Sequence, residues 1–209
     1  KNPKKIYAIE KDDELALLLK DKFTDEITII NEDVLKISED KISSEKLTVF
    51  GNLPYNISTE ILSKWIVNLN KNFWFENLVL MFQKEVAERI IAESNTSKYG
   101  RLSILSSWKL NIKKILDIKP QSFSPRPKID STLLLFTPRE NFFELKNAKN
   151  LEMITRVFFS QRRKMLKKPF NQVFKNAKEV SEKFNIDLNL RPQNLKPDMY
   201  FKLVKEYES

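Results

Sequence analysis

The sequence predicts an α/β fold followed by a small all-helical domain. Three short apolar runs indicate the α/β part: IYAIE (6–10), KLTVF (46–50) and FENLVLMF (75–82). Each run is rich in strand-forming residues and leads into a segment whose apolar residues have helical spacing. Near residues 137–150 the strand pattern stops and helical periodicity replaces it. We therefore predict an α/β domain over residues 1–138 and a helical domain over residues 139–209.

The first two predicted strands are joined by a helix. The strand over residues 6–10 precedes a helix that begins at one of two adjacent aspartates and ends at Phe23, with Leu15, Leu18 and Leu19 on its apolar face. The run ITII (27–30) is the next predicted strand. The polar segment after it shows no clear pattern.

An acidic residue follows the apolar part of each of these strands. In nucleotide-binding α/β folds, an acid at the position of Glu10 holds ribose hydroxyls, although a carboxylate there is by itself more often a solvated one. Asp33 could accept a hydrogen bond from an adenine amine at the edge of the sheet. As an isolated residue it would more often form a turn.

The third strand leads into the segment FGNLPYNIST (50–59). Gly51 and Pro54 are expected to end the strand, and Ser58 or Thr59 to cap the next helix. Ligands of open α/β sheets bind at the carboxyl ends of the strands. This turn is therefore the candidate active site.

The pattern Asn-x-Pro-Tyr in this turn suits methyl transfer to an exocyclic base amine. The Asn52 side-chain oxygen and the Leu53 carbonyl could accept the amine hydrogens, and Pro54 restricts the conformation of Leu53. The Tyr55 ring could stack on the base and stabilise the positive charge that develops on the nitrogen. The alternative is a turn and a helix cap in which Tyr55 only packs.

The rest of the α/β domain contains a strongly apolar strand and a proline-rich loop. Residues 75–82 are the best candidate for a buried strand. The other predicted elements are a helix opening at 83–85, a loop over 94–100, a helix over 101–108, and strands over 112–118 and 131–136. Proline excludes regular structure between the last two strands. In that loop Phe123 is either a core residue, which these observations favour, or a second base-stacking ring.

The helical domain is predicted to begin with a basic helix over residues 151–168. Leu151, Ile154, Phe158 and Met165 fall on its apolar face. The cations of this segment are Arg156, Arg162, Arg163, Lys164, Lys167 and Lys168. We interpret them as phosphate contacts rather than as a solvated face. Two further helices are predicted near 172–184 and 197–207.

Composition limits the classes of function. The chain has no cysteine and no histidine, which excludes disulfides, thiolate chemistry and the usual zinc sites, so no metal is expected. No apolar run is long enough for a membrane helix. Residues 1–50 hold 9 basic and 12 acidic side chains, whereas residues 51–209 hold 28 and 16. The excess of positive charge in the later part indicates a polyanionic partner, or a lysine-rich solvated surface.

Seven segments, in order along nearly the whole chain, resemble one family. They are AIEKD (8–12), NEDVL (31–35), FGNLPYNIST (50–59), QKEVAERI (83–90), YGRLS (99–103), FSPRPKIDS (123–131) and FSQRRK (159–164). The family is the KsgA-type ribosomal small-subunit RNA adenine dimethyltransferases, which use S-adenosylmethionine (SAM). A colinear set of this length is far more specific than any one motif.

The resemblance implies a fold and a set of site residues. The fold is a Rossmann-like class I SAM-dependent methyltransferase domain, with a mostly parallel sheet and one antiparallel strand, followed by a small all-α domain. The implied site residues are Glu10, Asp33 and Asn52 for SAM, and Asn52, Leu53, Pro54, Tyr55 and Phe123 for the target adenine. In this assignment Phe123 becomes the second stacking ring, which reverses the preference for a core residue.

The resemblance also implies a substrate and a partner. Family members convert two adjacent adenosines near the 3′ end of small-subunit RNA to dimethyladenosines during subunit assembly. The expected partner is therefore small-subunit ribosomal RNA in a pre-30S-type particle, and no membrane is expected. We expect a monomer that is located in the cytoplasm or, as an alternative, in an organelle. Related erythromycin-resistance methyltransferases share the NLPYNIS-type turn but act on large-subunit RNA, and residues 161–164 (QRRK) resemble the small-subunit branch more closely.

One departure from the family pattern leaves other functions open. Family members carry a first strand and a glycine-rich turn before the strand of Glu10, whereas this sequence holds only Gly51 and Gly100 and starts at what corresponds to the second strand. We therefore expect an N-terminally truncated fragment, which could itself be inactive. The alternatives are a non-catalytic RNA-binding assembly factor, an erythromycin-resistance-type enzyme and, more distantly, a DNA adenine methyltransferase.

Overall fold

The computed structural model describes residues 3–23 and 26–209 and is a mixed α/β structure with a helical C-terminal part. The chain divides into two compact units, one that ends at Glu45 and one from Lys46 to Ser209. Each unit has its own sheet. The domain boundary that we predict at residue 138 stays a prediction.

The first unit is a β-α-β arrangement, as predicted. Strands β1 (Ile6–Glu10) and β2 (Ile27–Asn31) are parallel, with Glu10 opposite Asn31, and helix α1 (Asp13–Phe23) connects them. The Asp12 carboxylate accepts the backbone N–H of Leu15 at 2.9 Å and thereby caps α1. The polar segment after β2 contains a short 3₁₀ turn over Glu39–Lys41.

Most of the expected apolar face of α1 is exposed in the structure. Leu15 and Leu18 are 51% and 62% exposed, Leu19 is half-buried, and the buried residue of the helix is Ala16. Two strands offer a helix little surface for packing. Helical periodicity therefore identified the helix correctly, whereas it did not identify which residue is buried.

The second unit contains a four-stranded sheet. Its strands are β3 (Leu47–Asn52), β4 (Phe75–Gln83), β5 (Leu110–Ile118) and β6 (Ser131–Pro138), in the spatial order β3-β4-β6-β5. Strands β3 and β4 are parallel, and β6 is antiparallel to both of its neighbours. This arrangement confirms the one antiparallel strand that the resemblance implies. Strand β4 provides much of the core, with Leu78, Leu80 and Phe82 fully buried.

Seven helices accompany this sheet in residues 46–209. They are α2 (Ser58–Asn68), α3 (Lys84–Ile90), α4 (Arg101–Lys109), α5 (Ala148–Ser160), α6 (Lys167–Val173), α7 (Ala177–Lys183) and α8 (Pro197–Tyr207). Helices α5 and α8 pack against each other and against α4. The aromatic ring of Phe158 lies 5.4 Å from that of Phe170 and 5.6 Å from that of Tyr200, so the C-terminal helices share an aromatic core. Among the helices of residues 3–23 and 26–209, none combines the length and the hydrophobicity of a membrane span.

The continuous helix predicted over residues 151–168 is wrong. Helix α5 ends at Ser160, a turn follows, and α6 begins at Lys167. Pro169 explains the break, because within one long helix its ring would clash with the carbonyl of Met165. In α6 it lies in the first turn, where proline is tolerated. Met165 leaves the predicted apolar face and is exposed. The helix predicted over 172–184 is likewise two, with a break between α6 and α7.

Candidate active site

Strand β3 runs further into the candidate turn than predicted. It continues through Gly51 and ends at Asn52, so Gly51 does not break the strand. A Cβ atom at Gly51 would lie 2.7 Å from a methyl carbon of Leu80 and 3.1 Å from one of Leu53. Glycine avoids this contact, whereas any side chain here would force the end of the buried Leu80 side chain to shift.

The groups expected to contact a base are accessible. Asn52 and Pro54 are exposed, and Leu53 and Tyr55 are half-buried. Within the described residues, neither the Asn52 side chain nor the Leu53 carbonyl has a hydrogen-bond partner. Both oxygens are therefore available as acceptors.

The predicted helix cap at the end of the turn is wrong. Helix α2 already begins at Ser58, and its N-cap residue is Ile57, which has no side chain able to form a cap hydrogen bond. The buried Ser58 hydroxyl instead donates to the carbonyl of Tyr55 at 3.2 Å, and the Ile57 N–H donates to the carbonyl of Pro54 at 3.1 Å. These two hydrogen bonds close residues 54–58 into a compact turn.

The structure brings the proline-rich segment 123–131 to this turn. The Tyr55 hydroxyl lies 2.6 Å from the hydroxyl of Ser131, the first residue of β6. Phe123, at the other end of the segment, is half-buried and follows a short 3₁₀ turn over Pro120–Ser122. This 3₁₀ turn corrects the expectation that the loop has no regular structure.

A group of charged side chains surrounds Ser131. Asp130 accepts a hydrogen bond from Lys119 at 2.7 Å, and the Lys84 ammonium lies 3.9 Å from the Asp130 carboxylate and 3.8 Å from that of Asp117. Hydrogen bonds from Lys114 and then from the Thr132 hydroxyl hold the pKa of Asp117 below its usual value. Sequence reasoning placed Lys84, Asp130 and Ser131 in matching motifs but assigned them no role.

In the first unit, the two predicted acidic residues lie near the carboxyl ends of parallel strands. One carboxylate oxygen of Glu10 accepts the N–H of Asp12 at 2.9 Å, which leaves the other oxygen available. Asp33 is 14% exposed and accepts from the Lys11 ammonium at 2.8 Å and from the Leu35 N–H at 3.0 Å. These contacts, the Lys11 hydrogen bond first, lower the pKa of Asp33 and keep it an acceptor. The role of Lys11 was not predicted.

The basic residues after α5 line an open groove of about 780 Å³. Its lining includes the cations Arg163, Lys164, Lys167, Lys168 and Arg191 and no acidic side chain. We call these five residues the basic groove. Arg191 was missed by sequence reasoning. It is brought there by two backbone hydrogen bonds, from the N–H groups of residues 166 and 167 to the carbonyls of residues 190 and 188.

Two predicted RNA contacts do not line this groove. Arg156 is exposed on α5, and the Arg162 guanidinium donates to the backbone carbonyl of Thr96 at 3.1 Å. Arg162 therefore links the turn after α5 to the loop before α4. The six predicted cations consequently form no single face, because the helix that would have aligned them is broken.

In a Rossmann-like α/β fold, a turn of hydrogen-bond acceptors and an aromatic ring at the carboxyl end of a strand lies where such folds bind their ligands. The family model described as ribosomal RNA adenine dimethylase matches residues 1–209. The chain belongs to this family of methyltransferases. It is also 79% identical over 208 residues to "Ribosomal RNA small subunit methyltransferase A" of Pelagibacter ubique (strain HTCC1062), a match that covers 100% of this chain and 79% of the relative.

Solved structures agree with this fold. A dimethyladenosine transferase from Plasmodium falciparum has a TM-score of 0.78 and 25% identity, and the match covers 98% of this chain and 82% of that one. The 23S rRNA methyltransferase ErmE has a TM-score of 0.67 and 18% identity, with 100% and 84% covered. The second likeness shows a shared fold only. The comparisons confirm the family and fold class that the sequence motifs predict.

Proposed function

We propose that this chain dimethylates the N6 amines of two adjacent adenosines near the 3′ end of small-subunit ribosomal RNA, with SAM as methyl donor. The observation that supports this role most directly is the turn at Asn52, where two acceptors without partners in the described residues stand beside a half-exposed aromatic ring. The Pelagibacter relative is named as a small-subunit ribosomal RNA methyltransferase and the Plasmodium protein as a dimethyladenosine transferase, and both names support this role.

The turn would act on the target amine without a general base. The nitrogen lone pair of adenine is delocalised into the ring, so the amine is a poor nucleophile. Hydrogen bonds from the amine to the Asn52 side-chain oxygen and the Leu53 carbonyl would localise that lone pair, and Pro54 limits the directions in which the carbonyl points. As the nitrogen becomes positive, the same oxygens and the Tyr55 ring would stabilise it. Phe123 would supply a second stacking surface.

The described residues of the first unit fit the adenosine part of SAM. The free carboxylate oxygen of Glu10 suits ribose hydroxyls, and the ionised Asp33 suits an adenine amine. Each oxygen of Asp33 already accepts one hydrogen bond, and a carboxylate oxygen can accept a second. Asn52 is proposed to contact SAM as well as the target base. When bound, SAM supplies an electrophilic methyl group.

The basic groove would hold the RNA backbone. Its exposed cations without acidic neighbours in the lining provide the charge that phosphate contacts require. Arg156 and Arg162, outside the groove, would extend this contact surface. In this proposal residues 1–138 carry the chemistry and residues 139–209 bind RNA, in a monomer that meets the pre-30S-type particle in the cytoplasm.

The exposed residues of the turn provide a test with a matched control. In the full-length protein, Asn52→Ala should reduce methyl incorporation into small ribosomal subunits by at least about 100-fold, because one of two preorganised acceptors is lost. RNA affinity should stay close to that of the wild type. Asn56→Ala removes another exposed asparagine of the same turn and should leave the rate unchanged.

The same assay separates the competing functions. Radiolabelled SAM would be offered with small subunits, large subunits and duplex DNA in parallel. Incorporation into large subunits or DNA alone would contradict the proposal, and so would normal turnover by Asn52→Ala. Failure of the full-length protein to bind SAM in calorimetry would favour a non-catalytic assembly factor.

A further inference from the structure

Buried serine hydroxyls fix both ends of Tyr55. The Ser58 hydroxyl, 1% exposed, donates to the Tyr55 carbonyl at 3.2 Å and so holds its backbone. The Ser131 hydroxyl lies 2.6 Å from the phenol oxygen and so holds the far end of the side chain. Tyr55 lies in a turn, whereas Ser131 is fully buried in strand β6. The hydrogen bond therefore joins the turn to the sheet.

Ser131 is a rigid anchor. In β6 it is paired with Gln83 of β4 on one side and with Ile118 of β5 on the other. The residue before it is fixed as well, because the Asp130 carbonyl accepts the Lys84 N–H at 2.9 Å. An anchor that is held by two neighbouring strands cannot follow movements of the turn.

We propose that Ser131 is a positioning residue for methyl transfer, which keeps the Tyr55 ring in the orientation on which the target adenine stacks. This inference rests on the function proposed for the turn. Ser131 itself would touch neither the base nor SAM. We call the hydrogen bond between the Tyr55 and Ser131 hydroxyls the tether. The proposal explains why the ring carries a hydroxyl, because stacking requires only the aromatic face, whereas the tether requires the phenol oxygen.

The tether should affect the chemical step more than RNA binding. A ring without its tether samples orientations in which the base is poorly placed, and misplacement lowers the rate of reaction of the bound substrate. RNA affinity depends mainly on phosphate contacts, which the tether does not touch. Loss of the tether should therefore lower kcat and leave the KM for RNA nearly unchanged.

A double-mutant cycle in the full-length protein tests this. Tyr55→Phe and Ser131→Ala each remove the tether and should each lower kcat by about five- to tenfold, the loss expected for one hydrogen bond. The KM for small subunits should stay within about twofold of the wild type. Because both substitutions remove the same interaction, the double variant should lose no more than either single variant.

A second buried serine supplies the control. The Ser106 hydroxyl in α4 is fully buried and has no hydrogen-bond partner among the residues that the structure describes. Ser106→Ala should therefore keep the wild-type kcat. A similar loss of kcat in Ser106→Ala and Ser131→Ala would overturn the positioning role, because any buried serine would then have the same effect.

The outcomes distinguish this inference from the proposed function. If the wild type does not methylate small subunits, the proposed function fails, and this inference with it. If the wild type is active while Ser131→Ala keeps its kcat, or if the losses of the two single variants multiply, the positioning role fails and the proposed function stands. Should Ser131→Ala not fold, as judged by circular dichroism, Tyr55→Phe decides the matter, since an unchanged kcat would overturn the tether.

Discussion

The chain's two glycines allow a direct test of the packing beneath the candidate turn. Gly51 lies opposite Leu80 in the pairing of β3 with β4. A Cβ atom there would lie 2.7 Å from the nearest Leu80 methyl carbon, well inside the usual carbon–carbon contact distance of about 3.5–4.0 Å. Leu80 is fully buried, so it has little room to move. Gly51→Ala should therefore strain both strands.

The expected change in the free energy of unfolding of Gly51→Ala follows from two opposing effects. Overpacking of a buried site costs about 1–3 kcal/mol. Replacing glycine by alanine restricts the unfolded chain and contributes about 0.4–1 kcal/mol in the opposite direction. The net result should be a loss of about 1–2 kcal/mol in the free energy of unfolding, measured by urea denaturation in the full-length protein.

Gly51→Ala should lower kcat separately from its effect on the free energy of unfolding. The added Cβ would also lie 3.1 Å from a Leu53 methyl carbon, so the side chain of the residue whose carbonyl is proposed to accept the target amine would have to shift by a few tenths of an ångström. Misplacement by about 1 Å can cost a factor of about 100 in rate. We expect a fall in kcat of at least about tenfold under conditions in which the variant is fully folded.

Gly100→Ala is the matched control. Gly100 has an extended backbone, and a Cβ there would lie 3.9 Å from the Phe159 ring, an ordinary contact. Its free energy of unfolding should change by less than about 0.5 kcal/mol, because the gain from restricting the unfolded chain offsets the poorer N-cap. Equal stability of the two variants, or a normal kcat in Gly51→Ala, would refute the steric reasoning.

Two further predictions concern charge. Buried Lys109 donates to the carbonyls of Ile66 and Leu69 at the end of α2, and burial lowers its pKa to about 8. As the pH rises, the Lys109 ammonium loses its proton in the folded chain before it does so in the unfolded chain, so the wild type gains stability. Between pH 8 and 9.5, the free energy of unfolding of the wild type, measured by urea denaturation, should rise by about 1.5 kcal/mol relative to that of Lys109→Met. A constant difference between the two proteins would contradict the lowered pKa of Lys109. In the basic groove, Arg163→Ala should weaken RNA binding and reduce the slope of log affinity against log salt concentration by about one. Lys178→Ala on α7, outside the groove, is the control and should change neither. Equal slopes for the wild type and both variants would show that Arg163 faces water.

Local sequence patterns identified most elements of the fold. The strands β1, β2, β4 and β6 and the helices α1 and α4 lie within a few residues of their predicted bounds, because apolar runs and the breaks between them can be located from neighbouring residues alone. The basic helix failed for a reason visible in the sequence. The predicted helix stops at residue 168, but its last turn would still place the carbonyl of Met165 against the ring of Pro169, which instead lies in the first turn of α6.

The candidate site was only partly accessible to sequence reasoning. The turn around Asn52 was identified because its residues are contiguous. Contacts between distant segments leave no signal in residue spacing: Tyr55 and Ser131 are 76 positions apart, and Arg191 joins the basic groove from another segment. Gly51 was misjudged for a related reason, because the need for glycine comes from Leu80 on the neighbouring strand.

The two acceptors in the turn, an amide oxygen and a peptide oxygen, do not gain or lose protons near neutral pH. The proposed amine activation would therefore be insulated from changes in cellular acidity. Capture of the RNA, in contrast, would depend on an open cluster of positive charge and so on the surrounding ions. Ionic strength would then determine how often substrate is captured, whereas the speed of each methyl transfer would stay the same.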